Sequence, residues 1–213
     1  MTEHNFEQMR RAMVASQLRT TGVDDPRVLA AMAEVPRERF VPAEQRSIAY
    51  LDRSLHFAGG RAIPAPMVLG RLLTEARVRP TDHALVIGGG SGYAAAVLAR
   101  LASRVVTLEE DASFFDDAAR TTGSHQAVGP LAKGWAEAAP YDLILVDGAI
   151  EHVPDAIVAQ LGEDGRIATG IVERGVTRLA IGRRAGAGFG LVPFADADVP
   201  ILPGFSQPAG FRF

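Results

Sequence analysis

The chain has no cysteine among its 213 residues. Disulfides, thiolate metal sites and thiol nucleophiles are therefore excluded. No apolar run approaches the roughly 18 residues that a membrane helix needs. The opening MTEHNFEQMRRAM lacks the continuous apolar core of a secretion signal, so the cytoplasm is the expected location. A strong excess of either charge is also missing. A net charge of −3 gives no reason to expect nucleic acid or an acidic membrane as partner. His4, His56, His83, His125 and His152 are scattered with no metal-ligand spacing, so no metal is expected. What remains, 47% hydrophobic and 22% charged, is the balance of a soluble globular chain long enough for one α/β core and a small extension.

The richest stretch runs from His83 to Glu109. Ala84 to Ile87 is short, apolar and branched, which suits a buried strand. Gly88-Gly89-Gly90-Ser91-Gly92-Tyr93 is a glycine turn. Ala94 to Ala102 is rich in alanine and leucine and reads as a helix. Val105 to Leu108 is a second buried strand, ending in Glu109. Strand, glycine turn, helix, strand and acid make half of a nucleotide-binding unit. Glycines let backbone approach a ligand, and the helix start turns free N–H groups toward it. An acid about 20 residues beyond the turn stands where ribose hydroxyls could be held. A dinucleotide fingerprint requires a glycine at position 93, where Tyr93 stands instead. The glycines at 88, 90 and 92 resemble the first motif of class I S-adenosylmethionine-dependent methyltransferases. The competing use of such a turn is purely structural.

Around this unit, Phe6, Met9, Met13 and Leu18 mark one helical face over residues 5–20. Asp25-Pro26 starts a helix that Pro36 ends. Val35 to Pro42 reads as a loop with buried anchors, and 49–60 as irregular. Pro66 opens a helix carrying Met67, Leu69, Leu72 and Leu73. Past Glu109, residues 111–121 look helical and 126–128 could form a weak strand. Tyr141 to Asp147 is a buried strand ending in an acid. Pro154 to Leu161 is a predicted helix and Gly165 to Ile171 a strand. Val176 to Arg184 and Phe189 to Phe194 form a predicted closing hairpin. The tail from Pro200, with Phe205, Phe211 and Phe213, is expected to lie extended over the surface. The alternation predicts a doubly wound, mostly parallel α/β sheet of Rossmann-like type. Residues 1–80 would be a helical and substrate-loop extension and 81–213 the α/β domain, together one compact unit.

Several stretches resemble the protein-L-isoaspartate O-methyltransferase family. They are Met13 to Leu18, Gly22 to Leu29, Val35-Pro36-Arg37-Glu38-Arg39-Phe40-Val41-Pro42, Ala49 to Asp52, Ile87 to Tyr93, Ala139 to Val146, and Gln160-Leu161 with Gly165-Arg166. The resemblance implies a class I methyltransferase fold, S-adenosylmethionine as cofactor, and a protein or peptide carboxylate as methyl acceptor. In the family that acceptor is the α-carboxyl of an L-isoaspartyl residue. Its ester lets the neighbouring backbone nitrogen close a succinimide, which reopens partly to normal aspartate. The cofactor positions implied are Gly88, Gly89, Gly90, Ser91, Gly92 and Tyr93 for the methionine end, Glu109 for the ribose, and Pro130 and Leu131 beside the adenine. Ala62, Ile63, Pro64 and Asp147 are the candidates to face the acceptor.

Three positions depart from the family pattern. Its substrate loop has a threonine and a serine where this chain has Ala62 and Pro64. Its Gly-Asp-Gly is replaced by Gly129-Pro130-Leu131, and an acid before the glycine turn by Val86. These substitutions motivate a rival expectation, a non-catalytic or repurposed homologue whose cofactor cleft is closed. A third reading is methyl transfer to a small molecule. Arg61 either faces solvent, its ordinary use, or grips a carboxylate with its two-pronged edge. Glu151 and His152 read as a solvated pair, and Trp135 as a packing anchor rather than an adenine platform.

Overall fold

The computed structural model describes residues 3–57, 60–115, 117–185 and 188–206. Its frame is a seven-stranded sheet. The strands are β3 (His83–Ile87), β4 (Arg104–Glu109), β5 (His125–Val128), β6 (Tyr141–Ile150), β7 (Leu161–Glu173), β8 (Val176–Ala185) and β9 (Gly188–Asp196). They lie in the order β5-β4-β3-β6-β7-β8-β9. The first five are parallel, and β8 and β9 run antiparallel at one edge. The chain winds outward from β3 to β5, then returns to place β6 on the other side of β3. Ligands of such sheets bind at this reversal, beyond the carboxyl ends of the strands.

Alternation along the strands sorts side chains to two faces. Ala84, Val86, Leu143 and Leu145 point into a core shared with the N-terminal helices. Those helices are α1 (Glu3–Ala12), α2 (Pro26–Glu34) and α3 (Pro66–Ala76), joined on this side by α4 (Tyr93–Leu98) after the glycine turn. Leu85, Ile87, Val106, Leu108, Ile144 and Val146 point to the opposite core, which also takes in Leu202 and Phe205 from the tail. Helices α5 (Asp117–Arg120) and α6 (Asp155–Val158) complete the order.

Local chemistry explains the helix starts. Asp25 caps α2 by accepting from the Arg27 amide at 2.8 Å, and Pro26 and Pro66 open α2 and α3 with φ already set for a helix. Residues 13–18 continue α1 as a π-helical stretch. Four expectations are corrected. Within the stretch read as a loop, Arg37–Arg39 forms a 3₁₀ turn; a second follows at Ala43–Ile48, a stretch that carried no expectation. The region read as irregular contains β1 (Leu55–His56), paired antiparallel with β2 (Ala62–Ile63). Residues 111–121 break into a 3₁₀ turn (Ala112–Phe114) and α5. The helix at 154–161 shrinks to α6, because Tyr141 already pairs with Leu161 and draws the chain into β7. The described part of the tail is extended: Ile201 bridges Ala149, and the Leu202 amide donates to the Ala149 carbonyl at 2.9 Å. Phe211 and Phe213 lie outside the described residues.

Candidate functional site

The sheet register determines where the acids meet. Ile87 pairs with Leu108 on one side and Val146 on the other. The next residues, Gly88, Glu109 and Asp147, therefore leave the carboxyl edge together. Parity along β4 and β6 puts Glu109 with Thr107, and Asp147 with Leu145, on the face covered by the N-terminal extension. Both acids are buried. Two carboxylates in one dry corner need counter-charge. The extension supplies it as Arg37 and Arg61, both also buried.

Arg61, just before β2, is the arginine that composition alone would leave in solvent. Only 3% of it is exposed. Its guanidinium meets Glu109 edge to edge, Nη1 donating to Oε2 at 2.9 Å and Nη2 to Oε1 at 2.7 Å. Nη2 also donates to the Gly88 carbonyl at 2.7 Å. The plane lies 5.0 Å from the centre of the Phe114 ring, which Phe57 meets edge-on at 6.1 Å. The remaining donor, Nε, is buried with no acceptor. Glu109 receives two further donors, the Gly90 amide on Oε1 and the Glu110 amide on Oε2. It thus presents two oxygens side by side at the mouth of the glycine turn, the acceptor pattern that a vicinal diol requires.

The turn is closely walled, as two of its glycines show. Gly88 has φ +75°, and a Cβ there would lie 2.7 Å from Leu202 Cδ1 and 3.2 Å from Arg61 Nη2. Gly90 has φ +42°, and its Cβ would lie 3.0 Å from the Phe57 ring. Ser91 borders a cavity of about 960 Å³ that Arg39, Arg46, Phe57, Asp111 and Phe114 also line. Tyr93 is buried, with its ring 5.8 Å from Phe40 and 4.8 Å from the Arg37 guanidinium.

Arg37 holds the 61–66 segment from beneath. Its Nε donates to the Ala49 carbonyl and its Nη2 to the Pro64 carbonyl, each at 2.8 Å. Burial pulls its pKa below the usual arginine value, opposed by nearby Tyr93 and Asp147. Asp147 shows the reverse response. Burial pushes its carboxyl up to about 7, with Arg37 and Arg61 pulling it back and Glu109 pushing further. Ile63 and Pro64 are buried, and Ala62 is half-buried. Gly89 is buried too, against Val86 and Thr107. On the other side of β4, Pro130 precedes a short 3₁₀ turn in which Leu131 faces the second core, and the Gly129 amide donates to the Glu109 carbonyl at 2.8 Å. Trp135 packs against that core, and its carbonyl accepts from the Tyr141 hydroxyl at 2.7 Å.

Glu109, Asp147, the glycine turn and the segment from Arg61 to Pro64 are thus brought to one corner, whereas Leu131 points away into the core. Arg37, Phe57 and Leu202 belong to the corner without having been singled out for it. For Arg37 the signal was indirect: two strand-end acids on one face demand cations, and Arg37 follows Val35-Pro36 while Arg61 precedes Ala62-Ile63-Pro64. Among the described residues there is no cluster of potential ligands for a metal and no helix long and apolar enough to cross a membrane.

Comparison with known proteins agrees with this architecture. The family model for protein-L-isoaspartate(D-aspartate) O-methyltransferase matches residues 9–188. A protein-L-isoaspartate O-methyltransferase of Methanoculleus marisnigri is 40% identical over 164 residues, covering 74% of each chain. One from Roseiflexus castenholzii is 39% identical over 188 residues, covering 85% of this chain and 86% of its own. Among solved structures, a Plasmodium falciparum protein described as a putative protein-L-isoaspartate O-methyltransferase in complex with S-adenosyl-L-homocysteine superposes with a TM-score of 0.77. It is 20% identical, and the match covers 91% of this chain and 97% of that one.

Proposed function

This chain belongs to the protein-L-isoaspartate(D-aspartate) O-methyltransferase family, and we propose that it is an S-adenosylmethionine-dependent enzyme that esterifies a carboxylate of a protein or peptide. The observation that carries the proposal is Glu109: a buried carboxylate with two adjacent oxygens, at the end of β4 and against a glycine turn of positive φ. In this reading Glu109 takes the ribose hydroxyls, and Gly88 to Gly92 lie along the methionine end. Pro130 and Leu131 border the adenine region through their backbone. When bound, S-adenosylmethionine supplies a methyl group activated by a positively charged sulfur.

The remaining demands on the protein are positional. A carboxylate acceptor is ionised and nucleophilic at pH 7, so no general base is required. The site must align it and keep water out. Ala62, Ile63 and Pro64 form the loop that would meet the acceptor, with Arg37 fixing the Pro64 carbonyl from behind. Asp147, whose carboxyl is pushed up to about 7, is only partly ionised near neutrality and so repels an incoming carboxylate less than an ordinary aspartate would. Phe57, Phe114 and Leu202 supply apolar walls around the turn.

Calorimetric titration with S-adenosylhomocysteine, followed by transfer of labelled methyl to an L-isoaspartyl peptide, tests the proposal. Binding together with base-labile label on the peptide is expected. Binding without transfer would shift the acceptor to another carboxylate. Absence of binding at millimolar ligand would overturn the assignment.

A further inference from the structure

The Arg61–Glu109 pair places a guanidinium on the two oxygens that the proposed function assigns to ribose. Both cannot be served at once. Each Glu109 oxygen already carries an arginine N–H and a backbone amide. The same guanidinium reaches the Gly88 carbonyl, and so lies across the glycine turn. Displacing it creates a second difficulty, since a buried cation without a counter-ion is strongly unfavourable. The displaced Arg61 needs an anion in place of Glu109; the neighbouring Asp147 is pushed toward its neutral form by burial, and the acceptor of this reaction is a carboxylate. Its Nε is already a buried donor without an acceptor. The residue is anchored next to β2, within the very loop in which Ala62 and Pro64 offer no side-chain hydroxyl.

We propose that Arg61 is a two-position specificity residue, which closes over Glu109 until cofactor hydroxyls replace it and then receives the carboxylate of the acceptor. This inference rests on the methyltransferase reading of the same site. It makes binding ordered, cofactor first and acceptor second. It also makes the closed pair a competitor, so cofactor affinity is reduced by the fraction of protein held closed.

Two measurements test it. In the first, S-adenosylhomocysteine is titrated into the wild-type protein and into Arg61→Ala and Arg61→Gln. If nine-tenths or more of the protein is closed, both variants should bind at least about tenfold more tightly. Equal affinities in all three would overturn the competition. In the second, an L-isoaspartyl peptide is titrated into the wild-type protein with and without saturating S-adenosylhomocysteine. Binding only in its presence is expected, as is loss of binding when the peptide's free α-carboxyl is amidated. In turnover, Arg61→Gln should raise the KM for the peptide at least about tenfold and change kcat less, as expected for a residue that contributes to binding. Peptide binding that ignores either the nucleoside or the amidation would overturn the acceptor role. Failure of all three proteins to bind S-adenosylhomocysteine at millimolar concentration would remove the methyltransferase reading and this inference together. Tight but equal binding would remove this inference alone.

Discussion

Glu109→Gln is the most informative perturbation of the corner. The substitution keeps shape and one carbonyl oxygen but removes the charge facing Arg61. The arginine is 3% exposed and its pair is two-pronged, so solvent cannot take over. Breaking a buried pair by neutralising one partner costs about 3–5 kcal/mol, because an uncompensated charge remains. For a chain of this size each kcal/mol lowers Tm by roughly 2–4 °C, so a fall of roughly 6–20 °C is expected. The companion is the double variant Glu109→Gln with Arg61→Met, which removes both charges and keeps most of the volume. Replacing a whole buried pair by groups of similar shape is often neutral, so the double variant should recover most of the loss. Urea unfolding of the wild type, both single variants and the double variant closes the cycle. If Glu109→Gln alone cost less than about 1 kcal/mol, the pair would be behaving as an exposed one, and the buried charge cluster would be refuted.

Asp147→Asn should change how stability depends on pH. The native carboxyl titrates at about 7 and the unfolded one near 3.8, so the native state holds the extra proton between those values. The contribution is complete below the unfolded value and is lost as pH rises through 7, with a limiting slope of about 1.4 kcal/mol per pH unit. Urea midpoints measured from pH 4 to 8 should show the wild type losing stability over that window and Asp147→Asn losing less; identical curves would remove the shifted carboxyl. Arg37→Met should leave the Ala49 and Pro64 carbonyls without their buried donor. At about 1–3 kcal/mol for each unmet group, an unfolding loss of roughly 2–6 kcal/mol is expected by urea titration. A loss under about 1 kcal/mol would show that Arg37 does not hold the loop.

The order of elements was legible because it rests on signals local in sequence. Buried parallel strands read as short branched runs, the Asp25-Pro26 cap announces α2, and β8 runs to Ala185 and β9 from Gly188, as the expected hairpin requires. Glu109 and Asp147 were legible as candidates because strand-end acids in this fold sit at the ligand edge. Hidden from sequence were the contacts set by tertiary packing. β1 and β2 are two residues each, too short for alternation to register. Leu202 reaches Gly88 and Gly148 only because the tail folds back along β6. Arg61 looked like a surface residue because nothing near it in sequence is acidic; its partner lies 48 positions away.

That last distance explains what the extension does. The α/β unit by itself would bring Glu109 and Asp147 to one edge, on one face, and among its described residues no cation acts on Asp147 or pairs with Glu109. Two buried carboxylates so placed would raise each other's pKa and draw in water. Arg37 and Arg61 come from the first third of the chain, through segments fixed by Pro36, Pro64 and Pro66 rather than by long helices or strands. The two arginines are held differently. Arg37 is tied to backbone carbonyls and stacked on Tyr93, so it is a fixed part of the floor. Arg61 is tied mainly to Glu109, so any ligand that satisfies Glu109 releases it. The extension therefore brings one permanent cation and one exchangeable cation to the same acids. A sheet edge that would otherwise carry two unpaired acids is thereby charge-compensated, and the cation that compensates Glu109 is the one our proposal frees for a carboxylate.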